Sequence, residues 1–177
     1  MKIYLACGLT HVPRDEFESY VEFIHKISKV MAFRFKAEVK YALKDSDPQL
    51  AQKPSEDRAR LCYVWDKEMV EWADIIIAEA SYPSTGLGIE LQLACSQETP
   101  IILIFKLEEK HRASPIDYKT PDKKDHSLQL GEGYVSLMAL GLPSLYSIHP
   151  YADTEQALAE LESALESLNS PQSFENA

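Results

Sequence analysis

One stretch of this 177-residue chain limits the fold more than any other: residues 73–94, ADIIIAEASYPSTGLGIELQLA. Asp74 opens an apolar run, Ile75-Ile76-Ile77-Ala78. It is short and β-branched, which predicts a strand buried on both faces over residues 74–80. Pro83 ends it, because proline cannot feed a central ladder. Ser84, Thr85, Gly86 and Gly88 then read as a loop of small residues, and a helical pattern follows over residues 89–96. Strand, glycine loop and helix in that order place a ligand at the carboxyl end of a parallel strand. Amides at a helix start, with two glycines beside them, suit an anion such as a phosphate. Glu90 is out of place as a ligand for an anion. In a first helical turn it is also favoured by the helix dipole, whatever its role.

The remainder alternates in the same way. Residues 2–7 (KIYLAC) read as the first strand. Pro13 suits the first turn of a helix, whose buried face is Phe17, Tyr20, Val21, Ile24, Ile27 and Met31. Residues 36–43 read as a second strand, placed at an edge by its lysines. Residues 45–54, with two prolines, read as a loop. Ser55 or Asp57 would cap a helix running to about Ala73. Residues 100–105 and 144–149 read as the fourth and fifth strands, and Asp153 or Thr154 caps a last helix. Residues 106–127 have no period and read as a long loop or arm. Residues 128–142 stay ambiguous between helix and loop, and residues 170–177 read as a flexible tail. The expected fold is α/β: a flavodoxin-like or Rossmann-like three-layer sandwich, one domain over residues 1–169, with a five-stranded parallel sheet in the order 2-1-3-4-5. The loops after Cys7 and Ala80 would then share one cleft.

Net charge is −10, which argues against a nucleic-acid polymer as partner, since that needs a basic face. A single nucleotide remains compatible. No apolar run reaches membrane-spanning length, and the chain enters a strand from its first residues, so the expectation is a cytoplasmic protein with no membrane partner. Cys7, Cys62 and Cys95 form no C-x-x-C pair, and Cys7 and Cys95 read as small core residues. His25, His111, His126 and His149 show no metal-ligand spacing, so no metal and no cofactor is expected. His11 and Arg14 follow the first strand and could reach the cleft. Asp66 alone reads as a solvated helix acid.

Taken together, Asp66, the ADIIIAE strand and Pro83-Ser84-Thr85-Gly86-Leu87-Gly88-Ile89-Glu90-Leu91 resemble the nucleoside 2-deoxyribosyltransferase-like family. The likeness is greatest to its branch of 2'-deoxynucleoside 5'-monophosphate N-glycosidases, and it covers about residues 64–105. It implies cleavage of an N-glycosidic bond, by hydrolysis or base transfer. It implies Glu90 as nucleophile, Asp66 assisting at the base or sugar, and a site tyrosine for which Tyr4 is the candidate. It also implies Gly8, Ser84, Thr85, Gly86 and Gly88 as the substrate and phosphate cradle, and a homodimer or higher homo-oligomer completing the site. After the first strand Leu9 stands where that branch carries serine, and the later glycines are missing. Two alternatives stay open: a nucleotide sensor without catalysis on the same fold, and a phosphoribohydrolase of the lysine-decarboxylase-like type.

Overall fold

The computed structural model describes residues 1–170. Five parallel strands form the central sheet: β1 (Lys2–Cys7), β2 (Glu38–Lys40), β3 (Ile75–Glu79), β4 (Ile101–Lys106) and, numbered after a small hairpin, β7 (Leu145–Tyr151). Their order is β2-β1-β3-β4-β7, as the alternating pattern predicts, and β1 lies beside β3 with Tyr4 paired to Ile76 and Cys7 to Glu79.

Side-chain alternation along the strands builds two cores. On one face Ile3, Leu5, Ile75, Ile77, Ile102 and Ile104 pack under α1 (Phe17–Phe35) and α7 (Thr154–Leu168). On the other, Tyr4, Ala6, Ile76, Ala78 and Leu103 pack with Met69 and Val70 of α4 (Ser55–Trp72) and with Leu87, Leu91 and Ala94 of α5 (Thr85–Ser96). With both faces covered, a near-continuous apolar run is what each central strand requires.

Several elements differ from the sequence expectation. Residues 13–16 form a turn, closed by Glu16 N–H to the Pro13 carbonyl, and α1 starts only at Phe17. The second strand is three residues long, because its neighbours leave the edge of the sheet for α2 (Ala42–Asp45) and α3 (Asp47–Leu50), where a loop was expected. Pro54, not Ser55 or Asp57, precedes the first helical residue of α4, and no side chain caps it. The long segment 106–127 is not without structure: it holds a 3-10 turn (Glu109–His111) and an antiparallel hairpin of β5 (Asp117–Lys119) and β6 (Asp125–Ser127). Both hairpin strands are exposed, so no apolar alternation announces them. In residues 128–142 only α6 (Leu137–Leu140) is helical. Of the expected tail, residues 171–177 lie outside the described residues. Among the described residues, no helix is long and apolar enough to cross a membrane.

Candidate active site

The helix after β3 begins four residues earlier than the glycines led us to expect. Ser84 is its N-cap, its Oγ accepting the Leu87 N–H at 3.1 Å, so Thr85, Gly86 and Gly88 belong to α5 itself. A capping serine offsets the cost of glycine in the first turn, which is about 1 kcal/mol per residue against alanine. The earlier start also moves Glu90 out of the first turn. It joins Leu87, Leu91 and Ala94 on the buried stripe of α5. A carboxylate thus occupies a position that helical periodicity reserves for an apolar side chain.

Its neighbours come from two other elements. From the middle of β1, Tyr4 donates its hydroxyl to Glu90 Oε1 at 2.9 Å. Glu90 Oε2 is buried and has no hydrogen-bond partner. Asp66 approaches from α4, close enough for its charge to act on Glu90. Burial is the largest influence, and it pushes the Glu90 pKa up to about 7; the Tyr4 bond opposes this, and Asp66 adds to it. The expected first-turn position of Glu90 is therefore corrected: it lies beyond the first turn, where the dipole's influence fades, and desolvation opposes its charge.

Asp66 is itself held on both oxygens. Ser46, between α2 and α3 and 1% exposed, donates to Oδ1 at 2.9 Å. Cys62 donates to Oδ2 at 3.3 Å, and burial together with Asp66 raises the thiol pKa to about 11. Asp66 is thus tied into the cleft rather than solvated. The sequence reading missed both partners. Cys62 stands four residues before Asp66 on one helix face, a spacing that pairs side chains; nothing local marks Ser46.

Gly8 follows β1, where a Cβ would come 2.9 Å from Ser84 Cβ and 3.1 Å from the Tyr82 carbonyl oxygen. The absence of a side chain there lets the two loops meet at the carboxyl end of the sheet. Tyr4, Asp66 and Glu90 therefore assemble on one side, with Gly8 and the Ser84–Gly88 turn at its end. His11 and Arg14 are exposed.

No protein-family model matches the chain. A curated relative, the 5-hydroxymethyl-dUMP N-hydrolase of Tetraodon nigroviridis, is 26% identical over 117 residues, covering 64% of this chain and 76% of the relative. Among solved structures, a CMP N-glycosidase of Clostridium botulinum aligns with a TM-score of 0.56 at 17% identity, over 92% of this chain and 99% of its own. The chain is similar to an N-hydrolase in sequence and to an N-glycosidase in fold. A 2-deoxyribosyltransferase from Bacillus psychrosaccharolyticus shares the fold with a TM-score of 0.53 at 19% identity, over 89% and 90% of the two chains.

The raised pKa of Glu90 has a consequence for stability. Between the ordinary 4.5 and about 7, the folded protein keeps a proton that the unfolded chain has released, so stability falls as pH rises through that interval. The interval corresponds to about 3 kcal/mol. Relative to wild type, Glu90→Gln is expected to gain stability by about that amount between pH 4 and pH 8. Urea unfolding at the two pH values measures this, and a difference that does not change with pH contradicts it.

Proposed function

We propose that this protein cleaves the N-glycosidic bond of a (deoxy)nucleoside or its 5'-monophosphate through a covalent glycosyl intermediate on Glu90. The observation that carries the reading is the buried Glu90 carboxylate, with one oxygen held by Tyr4 and the other unpartnered. Natural structures seldom leave such an atom without use. In the reading, Oε2 attacks the anomeric carbon as the C–N bond to the base breaks, and one hard displacement becomes two easier ones. Tyr4 holds the attacking carboxylate in place. Asp66, fixed by Ser46 and Cys62, serves the departing base or the sugar. Water then releases the sugar in hydrolysis, or a second base takes it in transfer. The curated relative and two of the solved neighbours are named for reactions of these kinds, on nucleotides or deoxyribosyl groups.

The glycines of α5 support ligand approach. Nothing lies within 4 Å of where a Cβ on Gly88 would sit, so packing does not demand a glycine there. Their bareness keeps the helix start open beside Glu90, and its amides would receive the 5'-phosphate. A sensor without catalysis would not need the buried nucleophile and its tethered partner acid.

Glu90→Gln keeps the shape and removes the nucleophile. Base release from a panel of ribo- and deoxyribonucleosides and their 5'-monophosphates, read by chromatography, should fall by at least ~10²-fold. In wild type it should rise with pH through about 7, as Glu90 ionises. A 2-fluoro-arabinosyl analogue should leave its sugar on Glu90, detectable by mass spectrometry. Retained activity in Glu90→Gln removes this residue from the mechanism, and binding without base release in wild type makes the protein a sensor.

Ser84→Ala should weaken a 5'-monophosphate by about 1.5–3 kcal/mol more than the parent nucleoside. Equal effects on both would place the phosphate elsewhere, because the lost cap of α5 affects either ligand alike.

The protein is further read as a homodimer or larger homo-oligomer. The arm presents Ile116 and Tyr118 to solvent, at 57% and 46% exposure, and Leu128 directly after it is 46% exposed. Stable interfaces bury about 1,200–2,000 Å² in total, and exposed apolar side chains around the hairpin suit one. Sedimentation at micromolar concentration tests this, and a fully active monomer contradicts it.

A further inference from the structure

A second polar cluster lies at the carboxyl end of the sheet, outside the Glu90 site. Glu16 precedes α1, and Glu108 and His111 follow β4; one ligand-type atom from each lies within 4.8 Å of the others. The His111 side chain is only 9% exposed, and neither ring nitrogen has a hydrogen-bond partner. Its ring packs on Tyr82 with centroids 4.8 Å apart, and Nε2 points towards Glu16 Oε2 at 3.8 Å. Leaving a buried imidazole wholly unpaired costs free energy, and such a group calls for an explanation such as a bound ion. A positive charge already bridges the two acids: Lys110 Nζ lies 2.8 Å from Glu16 Oε1 and 2.9 Å from Glu108 Oε1. Lys110 is 49% exposed and can swing into solvent, while Lys106 stays on Glu108 Oε2 at 2.8 Å.

We propose that Glu16, Glu108 and His111 bind a divalent first-row transition ion, with Lys110 filling its place in the metal-free protein. One imidazole and two carboxylates are a donor set suited to Zn²⁺, which takes both at about 2.0–2.2 Å. Two ligands on one tetrahedral ion of this kind lie about 3.3–3.6 Å apart, so the cluster, whose ligand atoms lie within 4.8 Å, needs to close by about 1 Å. The remaining positions are open to water. Tyr82 donates its hydroxyl to Glu16 Oε2 at 2.8 Å, the kind of outer contact that orients a ligand. The ion would therefore tie together the segments after β1, β3 and β4, the first two of which carry Gly8 and Ser84. The site stands apart from the catalytic reading and does not depend on it.

The test is calorimetric titration of the chelator-treated full chain with ZnCl₂, with metal content measured after dialysis. His111→Phe keeps the ring against Tyr82 and removes the ligand; Glu108→Gln removes a carboxylate; Lys110→Met removes the competing ammonium. Wild type should bind one equivalent. Losing even an outer partner of a metal ligand costs about 10–100-fold, so His111→Phe and Glu108→Gln should each weaken binding by at least ~10-fold. Lys110→Met should bind more tightly than wild type. Absence of one-site binding in wild type overturns the proposal, including the case in which only Lys110→Met binds. Equal affinity in wild type and His111→Phe overturns it as well, and if His111→Phe fails to fold, Glu108→Gln decides the same comparison.

Discussion

The structure turns on one carboxylate in an apolar stripe. Glu90 sits among Leu87, Leu91 and Ala94 on the face of α5 that packs on the sheet, where desolvation opposes its charge. A single tyrosine hydroxyl from the neighbouring strand meets one oxygen, and the other has none. Such a group weakens the fold whenever it is ionised. In the mechanism proposed above, the same lack of solvation favours attack, because a carboxylate with few hydrogen bonds is less stabilised in the resting state. Tyr4 moderates both effects, since its bond favours the anion and fixes the carboxylate's orientation.

The sheet order makes this contact possible. With β1 beside β3, the Tyr4 side chain stands under α5, the helix that follows β3. A different neighbour for β1 would remove the tyrosine from Glu90. Gly8 and Ser84 then close the end of the same strand pair, at a separation that leaves no room for a side chain. Asp66 enters through α4, and its two hydrogen-bond donors come from its own helix and from the irregular segment after the edge strand.

The opposite face carries a different buried acid. Glu79, at the end of β3, is fully buried but well partnered: Tyr20 donates at 2.5 Å, Tyr151 at 2.9 Å, and Ser81 donates through both its hydroxyl and its backbone N–H. Burial raises its pKa, and these donors counter the rise. The contrast between the two acids is informative. Glu79 has donors on both oxygens, as a structural carboxylate needs, and Glu90 has a donor on only one.

The strands and helices of the parallel sheet were legible in the sequence, because they rest on local pattern: β-branched runs for buried strands, helical spacing between them, and proline and glycine as punctuation; the strand order followed from the fold rule for such an alternation. Asp66 and Tyr4 could be named only through the resemblance, since neither residue is unusual where it stands. Three things were decided by tertiary structure alone. The helix start at Thr85 depends on Ser84 capping it, which the glycines concealed. The ionisation of Glu90 depends on which face of α5 meets the sheet, so its burial and raised pKa were not visible in its place along the chain. The clustering of Ser46 with Asp66, and of Glu16 with Glu108 and His111, joins residues 20 or more positions apart through the crossing of elements. Local sequence sets which element a residue joins; the meeting of side chains from different elements depends on the packed arrangement of all of them, and the chemistry of this site lies in those meetings.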